Sequence, residues 1–108
     1  EMPQVVIKNL TREDTARLAP AIARAVSEPI GVPMDWIVVE HADTAFFRNG
    51  RPDPKSAMVW IYWKKRTRQL QETVAKALGD LMMGEGVSPV EIVYVNLDMD
   101  DFYEYKAE

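Results

Sequence analysis

The sequence contains no cysteine and only one histidine in 108 residues. Disulfide bonds, thiolate catalysis and cysteine-ligated metal are therefore excluded, and one imidazole among scattered carboxylates predicts no metal site. No apolar run is long enough to cross a bilayer, and there is no signal-peptide pattern. The sequence has 13 lysine and arginine residues against 17 aspartate and glutamate residues. The protein therefore lacks the basic surface that general binding to nucleic acid needs.

The remaining composition, 47% apolar and 28% charged, is that of an ordinary globular domain. A chain of this length forms one domain with a real core, yet it is small enough to gain stability from oligomerisation. Because the absence of cysteine fits a reducing compartment, we expect a cytoplasmic location. Neither a membrane nor a nucleic acid is expected as a partner.

A methionine followed at once by proline stands at the start of the chain. Met2 is interpreted as the natural initiator, since a small second residue normally allows its removal, and Glu1 as a cloning remnant. Pro3 would then be the first residue of the mature protein, with a secondary amine in place of an inert amide nitrogen. We expect one domain over residues 3–108.

A shift of 56 residues roughly overlays the chain on itself without a gap. The overlay predicts pseudo-repeats over residues 3–52 and 59–108. In the matching segments, "PMDWIVVE" falls on "PVEIVYVN" and "FF" falls on "FY". The same shift of 56 residues also places identical single residues on one another: Lys8 and Lys64, Thr11-Arg12 and Thr67-Arg68, Ala19 and Ala75, and Ala21 and Ala77.

Each half is predicted to form strand, helix, strand. Strands rich in Val and Ile are expected at 3–9, 36–42, 58–63 and 90–97. Thr11 and Thr67 are the expected N-caps, apolar residues at helical spacing follow them, and Gly or Pro ends each helix. Asn49-Gly50, followed by two prolines, predicts a turn and hence either a hairpin or an extended link between the halves. The predicted fold class is α+β, with duplicated β-α-β units forming a four-stranded mixed sheet and two helices on one face.

The strand "MVWIYW" is apolar on both alternating faces. Two helices of this length cover only one face of a four-stranded sheet, whereas a one-sided sheet would alternate apolar and polar residues. The second apolar face is therefore expected to meet another copy of the chain. The alternative is that large aromatic side chains there are simply half exposed.

We predict a catalytic or anion-binding site where the first and third strands meet. If a pseudo-twofold axis relates the two units, Pro3 lies beside the end of the third strand, where Lys64 and Arg66 crowd a helix N-terminus. Cations at a helix N-terminus favour the binding of a carboxylate or phosphate group. The alternative is that this run of basic residues is only part of the solvent-exposed surface. Desolvation and like charge would lower the pKa of a Pro3 amine, which could then act as a base or nucleophile. Trp63 could form a wall of the same pocket. The alternative is that Pro3 only starts a strand.

These features resemble the tautomerase superfamily, and "WKKRTRQLQETVAKAL" is similar to a small bacterial tautomerase-like family. The resemblance covers almost the whole chain and implies a trimer of double β-α-β units with an N-terminal proline as general base, matched by Pro3. It implies a substrate-carboxylate arginine just before a helix N-cap, matched by Arg66. It also implies a tyrosine and an asparagine from a neighbouring subunit, matched by Tyr94 and Asn96 in "VYVN". Other cations of the superfamily are replaced here, since Val32 stands where one relative has lysine.

Three interpretations stay open. The first is a trimeric tautomerase that isomerises a small 2-oxo or enol carboxylic acid, with Pro3 as catalytic base, Arg66, Lys64 and Trp63 binding substrate, and Tyr94 and Asn96 polarising its oxygen. This chemistry needs no metal or organic cofactor. The second is a non-catalytic oligomer that binds a small anion or a protein, which the thinner set of cations favours. The third is a dimeric protein of the ferredoxin-like fold, which has the same order of strands and helices.

Overall fold

Two threonines begin the two helices of the computed structural model, which describes residues 2–107. The Thr11 hydroxyl accepts a hydrogen bond from the backbone N–H of Asp14 at 3.0 Å, and Thr67 does the same for Leu70 at 3.2 Å. Each hydroxyl thereby satisfies one of the donors that a first helical turn leaves free. Both predicted N-caps are confirmed.

The helices and strands follow in the predicted order. The first helix continues through Pro29 and ends at Gly31, whose φ of 73° is a conformation that glycine adopts without strain. The interpretation of Glu1 and the predicted domain end at Glu108 lie outside the described residues. The elements are β1 (Gln4–Lys8), α1 (Arg12–Ile30), β2 (Val38–Ala42), β3 (Phe47–Arg48), β4 (Arg51–Pro52), β5 (Ala57–Trp63), α2 (Arg68–Met83) and β6 (Val90–Asn96), with 3₁₀ turns at Met34–Trp36 and Met99–Asp101.

The four long strands form one mixed sheet in the order β2-β1-β5-β6. Strands β1 and β2 are parallel, as are β5 and β6, and the central pair β1 and β5 is antiparallel. Each unit therefore pairs its own two strands directly, and the antiparallel central pair agrees with the predicted pseudo-twofold arrangement. The predicted α+β fold class is confirmed. The ferredoxin-like alternative is wrong, because that fold splits each β-α-β unit with a strand inserted between its two strands.

Strand β5 has one face fully buried under the helices and one face half-buried on the open side of the sheet. Its alternating pattern follows from strand geometry, in which successive side chains point to opposite faces. The helix-facing side chains form the centre of the core with β1, α1 and α2. The fully buried residues of β5 are Ala57, Val59, Ile61 and Trp63, and the half-buried ones are Met58, Trp60 and Tyr62.

The two units are not related by a single ungapped shift. Gln4 of β1 lies opposite Val38 of β2. A shift of 56 residues would place Gln4 on Trp60 and Val38 on Tyr94, but Trp60 lies opposite Val93. The ungapped register predicted for the last strands is therefore wrong by one residue. Because a slip of one residue exchanges the two faces of a strand, Tyr94 points towards the helices whereas Val38 is exposed on the open side.

Asn9 forms hydrogen bonds to the segment that joins the two units, residues 46–56. Its backbone has a positive φ of 73°, and its side-chain Nδ2 donates to the carbonyl oxygens of Asp53 and Ser56, both at 2.7 Å. Its Oδ1 accepts a hydrogen bond from the backbone N–H of Phe46 at 2.9 Å. One side chain thus holds both ends of the short β3–β4 hairpin, whose Asn49-Gly50 turn is confirmed.

We expect Asn9→Ala to lower the free energy of unfolding by about 2–4 kcal/mol, because three backbone groups lose their partner and alanine tolerates a positive φ less well than asparagine does. Asn9→Gly is the matched control, since glycine keeps the backbone conformation and loses only the hydrogen bonds. It should cost about 1 kcal/mol less than the alanine variant. Urea unfolding followed by circular dichroism measures both, and equal losses would show that positive φ contributes nothing here.

Candidate functional site

Pro3 lies at the end of the sheet where β1 begins and β5 ends. Its side chain is fully buried, and its carbonyl accepts a hydrogen bond from the backbone N–H of Val38 at 3.1 Å. The next residue, Gln4, lies opposite Tyr62, so Pro3 is beside the last residue of β5, Trp63. The backbone topology therefore brings Pro3 to the start of the basic segment that leads into α2, as the sequence argument predicted.

The indole ring of Trp63 contacts three other predicted site residues. The ring is fully buried and stacks on Tyr94, with centroids 4.4 Å apart and planes 10° from parallel. Its Nε1 donates to Asn96 Oδ1 at 3.0 Å, and the Cζ atom of Arg66 lies 5.1 Å from the ring centroid. Stacking and cation–π contacts of this geometry are attractive. The single chain thus assembles Trp63, Arg66, Tyr94 and Asn96 into one cluster.

Arg66 is a half-buried cation whose orientation is fixed from within the chain. Besides its contact with Trp63, its Nη1 donates to the backbone carbonyl of Lys64 at 2.7 Å. Burial lowers the pKa of Arg66 from its ordinary value, yet a guanidinium stays charged at any physiological pH. Within residues 2–107 no carboxylate lies at ion-pair distance from it. Arg66 is therefore a positioned cation whose remaining N–H groups can bind an anion. The Lys64 side chain, by contrast, is exposed.

Tyr94 and Asn96 make their contacts inside the chain. The Tyr94 hydroxyl donates to the backbone carbonyl of Gln71 in α2 at 2.6 Å, and burial raises the pKa of Tyr94 to about 12. The phenol is consequently neutral near pH 7 and acts as a donor. Asn96 is exposed, and its Oδ1 accepts the hydrogen bond from Trp63, so its amide NH₂ is still available as a donor. Contact of either residue with a neighbouring subunit stays a prediction.

A cavity of about 620 Å³ lies at the other end of the sheet from Pro3, where β1 and β2 end and α1 begins. The sequence analysis predicted no cavity here. The single histidine, His41, is one of its lining residues, and its Nε2 lies 3.1 Å from the Leu10 carbonyl oxygen. The only signal in the sequence was the repeat, which places Arg12 after one N-cap as it places Arg68 after the other.

Neither a metal cluster nor a membrane-spanning helix is found in the described part of the chain. Among residues 2–107, no group of three or more histidine, aspartate and glutamate side chains could hold a metal ion. In the same range, no helix is both long enough and apolar enough to cross a bilayer.

The fold is that of the tautomerase superfamily. A macrophage migration inhibitory factor-like protein from Entamoeba histolytica superposes with a TM-score of 0.77 at 17% identity, covering 97% of this chain and 96% of its own. Pt0534, in a form inactivated by 2-oxo-3-pentynoate, superposes with a TM-score of 0.74 at 18% identity, covering 92% of this chain and 89% of its own. The predicted resemblance to this superfamily is confirmed.

The chain belongs to the DUF1904 family, described as a domain of unknown function, which it matches over residues 2–107. A DUF1904 domain from Sebaldella termitidis superposes with a TM-score of 0.86 at 21% identity, and 95% of each chain is covered. No protein of curated function matches the chain.

Proposed function

We propose that this protein is a tautomerase that moves a proton alpha to the carbonyl of a small 2-oxo or enol carboxylic acid, with the nitrogen of Pro3 as the base. The observation that carries the proposal is the position of a fully buried Pro3 at the strand end that leads into Arg66. Arg66 is a fixed cation beside an aromatic wall, which suits a substrate carboxylate.

In this mechanism the mature chain begins at Pro3, so that its nitrogen is a secondary amine. Burial and the cations of the β5–α2 segment both disfavour the protonated amine, which lowers its pKa towards neutrality. The neutral nitrogen takes the proton from the substrate carbon and returns it to another position of the resulting enolate. Arg66 holds the carboxylate, and the exposed Lys64 adds positive charge to the entrance.

The developing negative charge on the substrate oxygen needs a donor, and we assign it to Tyr94 or Asn96 of a neighbouring copy. Tyr94 is a neutral phenol and Asn96 an exposed amide, so each can donate a hydrogen bond. The proton transfer requires neither metal nor organic cofactor. The inactivation of Pt0534 by 2-oxo-3-pentynoate, a 2-oxo acid, supports the same substrate class here.

The direct test is a titration of the Pro3 nitrogen by ¹⁵N NMR, on protein whose intact mass shows that Pro3 is the first residue. We expect its pKa to lie near neutrality instead of at an alkaline value, and to rise in Arg66→Gln because one nearby cation is lost. Arg24→Gln is the matched control, since Arg24 is an exposed cation of α1 paired with Glu28. A normal alkaline pKa would contradict the proposal.

A non-catalytic anion-binding protein is the second candidate. One observation favours it: the Tyr94 hydroxyl is already engaged by the Gln71 carbonyl and would have to leave that partner to reach a substrate. An alkaline amine pKa together with saturable binding of pyruvate at Arg66 would establish this alternative.

We further propose that the protein is a homotrimer assembled through the open face of the sheet. That face carries Trp60 and Tyr62, whose rings stack at 6.5 Å, and the Trp60 Nε1 is buried without an acceptor among residues 2–107. Trp60→Glu should therefore convert the trimer to monomer, because a carboxylate buried between copies is costly. Light scattering measures the mass, with Met83→Glu, on the exposed side of α2, as the control. A wild-type monomer or dimer would rule out the trimer.

A further inference from the structure

The side chain of Tyr94 contacts both α2 and the indole of Trp63. Its hydroxyl donates to the carbonyl oxygen of Gln71, in α2, at 2.6 Å. Burial raises the pKa of Tyr94 to about 12, although the backbone N–H of Ala75, one turn further along α2, acts in the opposite direction. The phenol therefore keeps its proton near neutral pH, and that single proton is committed to a carbonyl of its own chain. Donation to a substrate in a neighbouring copy would break this bond.

The ring of Tyr94 supports the indole against which Arg66 lies. The two aromatic rings are stacked, with centroids 4.4 Å apart and planes 10° from parallel. The Cζ atom of Arg66 lies 5.1 Å from the centroid of the same indole, which is fully buried. A chain of contacts thus runs from the backbone of α2 through Tyr94 and Trp63 to the guanidinium.

The hydrogen bonds of this cluster hold edges, whereas Tyr94 holds a face. Asn96 Oδ1 accepts from the indole Nε1 at 3.0 Å, and the Lys64 carbonyl accepts from Arg66 Nη1 at 2.7 Å. A single hydrogen bond at the edge of a ring leaves the ring free to tilt about that bond. A parallel ring stacked on its face opposes such a tilt, and among residues 2–107 Tyr94 is the aromatic residue that stacks on Trp63.

We propose that Tyr94 is a positioning residue of the Pro3 site. Its ring, which the hydroxyl ties to α2, holds the Trp63 indole at the angle at which Arg66 receives the substrate carboxylate. The inference rests on the proposed tautomerase function for the identity of that ligand, and it narrows one assignment within it. Because the phenol proton is already committed, the amide of Asn96 is the group that donates to the substrate oxygen.

Two variants separate the ring of Tyr94 from its hydroxyl. Tyr94→Leu removes the stacking ring, whereas Tyr94→Phe keeps the ring and loses only the bond to Gln71. The first readout is the Nε–Hε resonance of Arg66 in a ¹⁵N spectrum, assigned by its absence in Arg66→Gln. We expect Tyr94→Leu to move this resonance, because the guanidinium leaves the ring current of the indole, and Tyr94→Phe to leave it close to its wild-type position. If Tyr94→Leu does not fold, Tyr94→Met, a flexible side chain without a ring, takes its place.

The second readout is the split between KM and kcat for phenylenolpyruvate. Loss of a fixed carboxylate contact should raise KM roughly tenfold in Tyr94→Leu, as in Arg66→Gln, while kcat changes less than about threefold. Tyr94→Phe should restore most of the affinity, with KM within about threefold of the wild-type value. If the phenol were instead the donor to the substrate oxygen, Tyr94→Phe would lower kcat by about 10²–10³ and leave the Arg66 resonance in place. That result would overturn the proposal.

Met82→Ala is the matched control for a general loss of stability. Met82 is fully buried near the far end of α2, about 20 Å along the helix from its start. It should lower the urea midpoint about as far as Tyr94→Leu does, without moving the Arg66 resonance or KM. An equal movement of that resonance in Met82→Ala would reduce the role of Tyr94 to stability and contradict the proposal.

The spectra distinguish failure of this inference from failure of the tautomerase function, because they require no turnover. If the wild-type protein has no activity, the Kd for pyruvate, measured from the same spectra, replaces KM. An Arg66 resonance and a pyruvate Kd that still depend on the ring at position 94 would then support the positioning role without the enzyme. An Arg66 resonance unchanged in Tyr94→Leu would overturn the positioning role, whether or not the protein is active.

Discussion

Retention of residues before Pro3 is expected to abolish most of the tautomerase activity. In a chain that still carries Met2, the nitrogen of Pro3 is an amide and cannot accept a proton. Because a positioned general base contributes about 10²–10⁴-fold, kcat/KM for a 2-oxo or enol acid should fall by at least ~10² relative to protein that begins at Pro3. The loss of the enol absorbance of a substrate such as phenylenolpyruvate measures the rate, with intact mass confirming each chain start.

Two variants show which step is affected. Pro3→Gly, in protein that begins at residue 3, keeps an amine but loses the proline ring, so it should retain more activity than the Met2 form. Arg66→Gln should mainly raise KM, since it removes a carboxylate contact made in the ground state as well as in the transition state. Equal activity with and without Met2, or in a chain that keeps both Glu1 and Met2, would exclude Pro3 as the base.

The topology of this protein could be derived from its sequence because its signals are local and duplicated. Thr11 and Thr67 cap helices at equivalent places, and Asn49-Gly50 marks the turn between the units. A duplicated β-α-β unit leaves few ways to form one sheet, and the pseudo-twofold choice brings Pro3 to the end of β5. Strand order thus placed Pro3 beside Trp63 and the segment that carries Arg66, whereas Tyr94 and Asn96 came from the resemblance to the tautomerase superfamily.

The remaining features depend on contacts that no sequence pattern records. The one-residue slip between the units decides that Tyr94 faces the helices, and repeat matching does not detect it. The cavity around Arg12 is bordered by Glu85, which is paired with Arg17, and by Ser56, which is bonded to Asn9, and both contacts join residues distant in sequence. Their chemical types were visible, but their grouping required the fold.

Trp63→Ala is expected to destabilise the protein more than any other single change in the site cluster. The side chain is fully buried, stacks on Tyr94 and donates to Asn96, so its loss leaves a large cavity as well as broken contacts. Replacement of a buried tryptophan by alanine costs about 3–5 kcal/mol, a large part of the stability of a small domain. Urea unfolding should show a midpoint lowered by roughly 2 M.

Trp63→Phe separates packing from function. Phenylalanine keeps an aromatic ring under Arg66 but has no N–H for Asn96, whose exposed oxygen can turn to water, so the cost should be only about 1 kcal/mol. Asn96→Ala is the reciprocal variant, and it should cost more, because it leaves the buried Trp63 Nε1 without an acceptor. If Trp63→Phe lowers substrate affinity with little loss of stability, the indole positions Arg66 for its anion. If stability falls as far in Trp63→Phe as in Trp63→Ala, the Asn96 hydrogen bond would outweigh core packing, contrary to the burial of the ring.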